Sequence, residues 1–330
     1  MKSMKQPSNT TFRLERKKIN DSIAENGEYN DGFVSIKKWE GNNNLGNYLV
    51  EIAKDDSQFV GILNSRLEKE GYGFYRFSNN DIYFGSFKYD ERNYNGFYIW
   101  PQEEKNGKIH TESYHGFWKD NKKYKYGIYL WLDEDEDNED FEKANFSAYV
   151  GKFDGNNFIR GTFLKKSEDN YYVYHGNFTP DGKKNDEKAF FYSSSLDRLF
   201  HGKIENDIFK NGYVVYFNSD SGLIDNIVYC DFEKNTELKN ISMKEDIKIE
   251  DLKNEEDETL LFRNVILSID YFGHIYKTYK DTVKFIIEEM GEIKVFEDKE
   301  KYPNLIKAVV AYNKNNIYFD IEAKALGKRI

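Results

Sequence analysis

The sequence predicts a mainly β chain: an open, single-layer stack of short antiparallel β-hairpins followed by an α-helical C-terminal segment. Three observations predict it. A five-residue unit, aromatic-x-Gly-x-apolar, recurs six times, and a second unit, small-x-aromatic or apolar, follows each one. Beyond about residue 240 that rhythm gives way to apolar residues spaced by three and four. The expected organisation is a basic N-terminal arm over 1–28, the repeat array over 29–240 and a helical cap or docking segment over 241–330.

The first unit reads Phe59-Val60-Gly61-Ile62-Leu63, Tyr83-Phe84-Gly85-Ser86-Phe87, Tyr114-His115-Gly116-Phe117-Trp118, Tyr149-Val150-Gly151-Lys152-Phe153, Tyr174-His175-Gly176-Asn177-Phe178 and Phe200-His201-Gly202-Lys203-Ile204. Its glycines advance by 24, 31, 35, 25 and 26 residues. A fixed period is the mark of a stacked repeat architecture. Alternate strand residues share a face, so Tyr114, Gly116 and Trp118 face one way and His115 and Phe117 the other. A glycine between two aromatics leaves a hole, and the expectation is that a ring from a neighbouring strand fills it. Each buried ring removes about 150 to 250 Å² from water, worth roughly 4 to 6 kcal/mol at most.

The second unit begins at Gly73, Gly96, Gly127, Gly161, Ala189 and Gly212, which implies a second strand per repeat. Polar stretches lie between the two units, such as Asn64-Ser65-Arg66, Lys119-Asp120-Asn121-Lys122 and Asp154-Gly155-Asn156-Asn157. They hold the Asn, Asp and Gly that tight hairpin turns need for positive φ. The two long intervals come from insertions at 102–111 and 133–142, loops that leave the period intact.

After the acidic stretch 245–258, Leu261, Val265, Ile269, Phe272, Tyr276, Tyr279, Val283, Ile286 and Met290 form an apolar stripe at helical spacing. Gly291 is placed to end that helix. An open stack must cover its last strand edge, and the stripe suits that task or the docking of a partner.

These units resemble the MORN (membrane occupation and recognition nexus) repeat, with Tyr114-His115-Gly116-Phe117-Trp118 showing its Y-x-G-x-W core. The resemblance covers roughly 55–220, with a degenerate rung over 32–52. The intervals are longer than the family's usual spacing, the second glycine pair survives as Gly71-Tyr72-Gly73 alone, and Ala189 replaces one glycine. The resemblance implies a scaffold or protein-interaction subunit of a larger, cytoplasmic assembly, cytoskeletal or ciliary in kind, such as a radial-spoke head. It implies as an alternative a peripheral membrane or lipid-binding adaptor.

Composition narrows the choice. A net charge of −10 argues against nucleic acid and disfavours anionic lipid, since both reward clustered Lys and Arg. No stretch of about 18 apolar residues exists, so no transmembrane helix is expected. The only cysteine, Cys230, reads as a small buried hydrophobe. The first 18 residues carry Lys2, Lys5, Arg13, Arg16, Lys17 and Lys18 against Glu15, expected as a basic arm, with a mitochondrial targeting role as the alternative.

No catalytic, cofactor-binding or metal site is expected. No phosphate-binding glycine loop, nucleophile elbow or zinc-protease helix is present, and the segment after the array shows no kinase or methyltransferase signature. His115, His175 and His201 share the slot beside the repeat glycine, where neighbouring rungs would set His175 and His201 about 5 Å apart. A polar slot facing away from the aromatics is expected over a metal ladder, since no carboxylate or cysteine completes a ligand set. The acidic run 133–137 is expected as a solvated loop. The repeat glycines Gly61, Gly73, Gly85, Gly96, Gly116, Gly127, Gly151, Gly161, Gly176, Gly202 and Gly212 are expected to be structural. Trp100 and Trp131, with Tyr98 and Tyr129, are the candidates for a partner-binding aromatic strip.

Overall fold

A computed structural model describes residues 28–30, 34–38, 48–54, 57–100, 103–105, 108–134, 145–167, 170–217, 224–232, 243–247 and Lys277. The strands are β1 Glu28–Asn30, β2 Val34–Lys38, β3 Tyr48–Lys54, β4 Ser57–Leu63, β5 Lys69–Arg76, β6 Ile82–Lys88, β7 Glu91–Ile99, β8 Glu103–Lys105, β9 Lys108–Lys119, β10 Lys122–Glu134, β11 Asn145–Asp154, β12 Asn157–Ser167, β13 Asn170–Asn177, β14 Asp186–Ser193, β15 Arg198–Glu205, β16 Ile208–Phe217, β17 Ile224–Asp231 and β18 Met243–Ile247. The chain is mainly β and built of antiparallel hairpins. The expected C-terminal helix lies outside the described residues, apart from the single helical residue Lys277. So do the basic arm and most of the acidic run.

The described residues group into two compact units, 28–100 with 112–123, and 103–111 with 124–247. In the first, β2 to β7 form an antiparallel meander, and β9 pairs with β7 from Tyr94↔Trp118 to Ile99↔Ser113. In the second, β10 to β18 do the same, so strand structure continues past residue 240.

Register puts the repeat glycines opposite one another. In the first unit the row is Gly61, Gly73, Gly85, Gly96, Gly116. In the second, Gly127, Gly151, Gly161 and Gly176 form one run, and Ala189, Gly202, Gly212 and Cys230 another. Two residues along, on the same face, each unit has a ring row: Phe59, Tyr75, Tyr83, Tyr98 and Tyr114 in the first, and Tyr129, Tyr149, Phe163, Tyr174, Phe191 and Phe200 in the second. At Ala189, whose Cβ thickens the row, the β13–β14 ladder stops at His175↔Phe190, and the Asp186 carboxylate accepts the Asn177 N–H at 2.9 Å.

The turns follow the residues that suit them. Tyr89 and Asp90, Asp120 and Asn121, and Asn206 and Asp207 all hold φ between 49° and 69°, the paired left-handed geometry of two-residue hairpins. The Asp154–Asn157 turn carries its one positive φ at Gly155, 61°. Longer turns place one left-handed residue before the returning strand, at Leu67, Asn80, Gly182 and Asp197.

Candidate interaction surface

In four hairpins one ring lies across two glycines. A Cβ on Gly151 would meet the Tyr149 hydroxyl and the Arg160 carbonyl at 2.5 Å and the Gly161 Cα at 2.6 Å. Tyr83 covers Gly85 and Gly96 in the same way, Phe59 covers Gly61 and Gly73, and Phe200 covers Gly202 and Gly212. The filling ring stands two residues before the first glycine of the pair, on that glycine's own strand, and it covers the second glycine from the neighbouring strand, as expected. The reason is reach: a tyrosine leaning along its strand spans its own glycine and sets its hydroxyl over the next carbonyl. That hydroxyl donates to the residue three positions on, Tyr83 to Ser86 at 2.9 Å, Tyr114 to Phe117 at 2.9 Å, Tyr149 to Lys152 at 2.8 Å and Tyr174 to Asn177 at 2.5 Å.

The aromatic two residues beyond the glycine closes the other side edge-on. Tyr83–Phe87, Tyr114–Trp118, Tyr149–Phe153 and Tyr174–Phe178 stand 5.0 to 5.1 Å apart at 79° to 89°, the edge-to-face geometry that ring quadrupoles favour.

A third layer, absent from the expectations, lies over the rings. Four residues before Gly73, Gly96 and Gly127 stand Lys69, Arg92 and Lys123, all buried. Lys69 Nζ lies 5.3 Å from the Tyr75 ring centre, the Arg92 guanidinium 4.7 Å from Trp118 and 4.9 Å from Tyr98, and Lys123 Nζ 5.0 Å from Trp100. Such cations are attracted by the ring face. Burial lowers the Lys69 and Lys123 amines, Lys123 to about 8. Two of the cations are latched to the next turn. Asp90 Oδ1 accepts the Lys69 N–H at 2.9 Å and its ammonium at 3.2 Å, and Asn121 Oδ1 accepts the Arg92 N–H at 2.9 Å. In the second unit Lys184 and Asp207 repeat the latch at 3.0 and 3.2 Å. The signal was present in the sequence as a cation recurring at fixed distance before the second glycine.

Beside Arg92, Asp81 is buried and accepts a hydrogen bond from the Tyr98 hydroxyl. Burial raises the Asp81 carboxyl above its ordinary range.

The opposite face is packed, not polar. Val60, Phe74, Phe84 and Phe97 line it in the first unit; Leu130, Ala148, Leu164, Val173, Leu199 and Val215 do so in the second, all buried. The histidine slot lies on this face, which corrects the expectation of a polar one. Burial pulls His115 and His175 down to about 4, and His201 stacks on Phe190 at 4.2 Å. His175 and His201 do not meet, because each repeat contributes two strands and Phe190 of the intervening strand stands between them in register. Among the described residues no group of three or more His, Cys, Asp or Glu is placed to hold a metal. Burial likewise raises the Cys230 thiol to about 11.

Of the aromatic strip candidates, Tyr98 and Tyr129 are buried rungs of the ring row, while Trp100 and Trp131 are half-buried and pack on them at 4.7 and 4.4 Å. The large apolar side chains that reach furthest into solvent are others: Tyr89 and Tyr94 in the first unit, 60% and 52% exposed, and Tyr124, Ile159 and Ile208 in the second. All sit at or beside hairpin turns.

Comparison with family models gives no match, and comparison with curated proteins gives no relative. Among the described residues no helix is long and apolar enough to cross a membrane.

Proposed function

We propose that this chain is a non-enzymatic, MORN-like scaffold or protein-interaction subunit of a larger cytoplasmic assembly, cytoskeletal or ciliary in kind, with a C-terminal helical segment that caps the array or docks. The observation that carries the reading is the pair Tyr89 and Tyr94. Both hold left-handed backbone, φ 53° and 59°, and both are exposed. A bulky residue in that region costs of order 1 kcal/mol or more, and an exposed side chain returns little of it through folding. The preceding repeat has Gly71, φ 72°, in the slot of Tyr94. A tyrosine kept where glycine is easier, with its ring in solvent, supports a contact with another molecule. Tyrosine is favoured for that purpose, since it offers large area with few rotors.

The test is cross-linking mass spectrometry on the tagged full chain in its own cells, with the wild type beside Tyr89→Asn/Tyr94→Gly. The reading expects the variant to melt no lower than the wild type and to lose cross-links to another protein that the wild type forms through Lys88, Lys119 and Lys122. Identical cross-links in both, or a wild type recovered only as a monomer, would overturn it.

A further inference from the structure

The second unit carries a surface that the scaffold reading does not use. Trp131 of β10, Phe163 of β12, Tyr172 of β13 and Phe191 of β14 are all half-buried. Their rings form a continuous strip, Trp131–Phe163 at 6.1 Å, Phe163–Tyr172 at 6.0 Å and Tyr172–Phe191 stacked at 5.4 Å and 21°. The rings alongside it on the same face, Tyr149, Tyr174 and Phe200, are wholly buried. The core is therefore closed beneath the strip, and the strip presents ring faces and edges to solvent.

Cations line this strip. Lys165 is exposed and stands between Ser147 and Tyr172 in register. Lys184 Nζ lies 5.5 Å from the Tyr172 ring centre, and the Arg198 guanidinium lies 4.7 Å from the Tyr216 ring centre on the same face. Asp207 answers Lys184.

We propose that this strip binds an extended segment of another protein that carries aromatic or aliphatic anchors and carboxylates, its apolar end at Trp131 and its acidic residues toward Lys165 and Arg198. Apolar anchors with a charged fringe of one sign give both affinity and orientation. Two alternatives fit the charge less well. Single-stranded nucleic acid also stacks on aromatics, and anionic lipid also attracts lysine, but both require a denser row of cations than a chain of net charge −10 sets here. The strip is separate in sequence and chemistry from Tyr89 and Tyr94, so loss of one role leaves the other.

The experiment uses the full chain and two labelled twelve-residue peptides, one repeating Glu-Leu-Glu-Trp and one with every Glu replaced by Lys, read by fluorescence anisotropy. The acidic peptide is expected to bind at least about tenfold more tightly, a difference of one good charge pair. Lys165→Glu should abolish that preference without changing the melting temperature, because Lys165 is exposed. A preference that survives Lys165→Glu, equal binding of both peptides, or no binding at millimolar peptide would overturn the proposal. So would tighter binding of oligo-dT or of phosphatidylserine vesicles than of the acidic peptide. Cross-links unchanged in Tyr89→Asn/Tyr94→Gly, with peptide binding intact, would instead count against the scaffold reading alone.

Discussion

The two units close their ring rows in different ways. In the first, a buried cation lies over the rings of each repeat: Lys69, Arg92 and Lys123. In the second, two of the three repeats put a phenylalanine there instead, Phe158 stacked on Tyr149 at 4.2 Å and Phe209 edge-on to Phe200 at 4.9 Å, with Lys184 the exception. The backbone follows the choice. Two residues after each of the three cations the chain is left-handed, at Gly71, Tyr94 and Lys125, whereas Ile159 and Lys210 in the equivalent places are not. A ladder can thus be sealed dry by rings or polar by cations, and the polar seal couples it to pH and to backbone strain.

The largest effect expected is shared by both units. Gly85→Ala and Gly151→Ala should each destabilise by about 3 kcal/mol in urea denaturation, because the added Cβ meets a ring and the backbone of the paired glycine. Gly176→Ala should cost less, since only the Tyr174 ring and the Asp186 Cβ stand near.

Next come the seals. Arg92→Met and Phe158→Ala should each cost about 3 kcal/mol, but only the first should depend on pH. Removing Arg92 leaves Asp81 buried beside its tyrosine without a cation, so the loss should shrink as the pH falls and Asp81 is protonated. A flat pH profile for Arg92→Met would break the comparison.

Lys123 sharpens it further. In the folded chain its amine releases its proton at about 8, whereas the unfolded chain holds it to 10.5. Between those values the unfolded state binds more protons, so stability should rise with pH across that window. Lys123→Met should remove that slope. His115 and His175, at about 4 folded and 6.5 unfolded, act in the same sense at lower pH: stability should fall as the pH drops from 6.5 toward 4.

The smallest effect is a gain. Lys125 is exposed and holds φ 55°, so Lys125→Gly should stabilise by about 1 kcal/mol. A loss of stability would show that the lysine side chain has a folding role of its own.

Much of this fold is legible in the sequence, because a glycine flanked by aromatics at alternate positions is rare enough to mark a strand, its face and its register. The turns are legible too, since Asp120-Asn121 and Gly155 are the residues that positive φ demands. Less legible are features in which an ordinary residue takes an unusual place. Lys69 and Lys123 at strand starts read as solvated charge, and only burial shows them as seals. The first glycine of Gly71-Tyr72-Gly73 marks a left-handed bulge, and its replacement by Tyr94 and Lys125 hides the recurrence. The histidine slot reads as polar because one face of a sheet is usually wet, yet Phe74, Phe84 and Phe97 in that slot already spoke for a second packed face.

The central claim is that the first glycine of a repeat is required by the ring two residues before it, as Gly61, Gly85, Gly151, Gly176 and Gly202 are. A double-mutant cycle at Tyr174 and Gly176, read by urea denaturation, tests this most directly, because that ring is the nearest obstacle to a Cβ there. The account predicts that Gly176→Ala is costly in the wild type and nearly neutral beside Tyr174→Ala, a coupling of about 2 kcal/mol. Costs that add to within about 0.5 kcal/mol would contradict it.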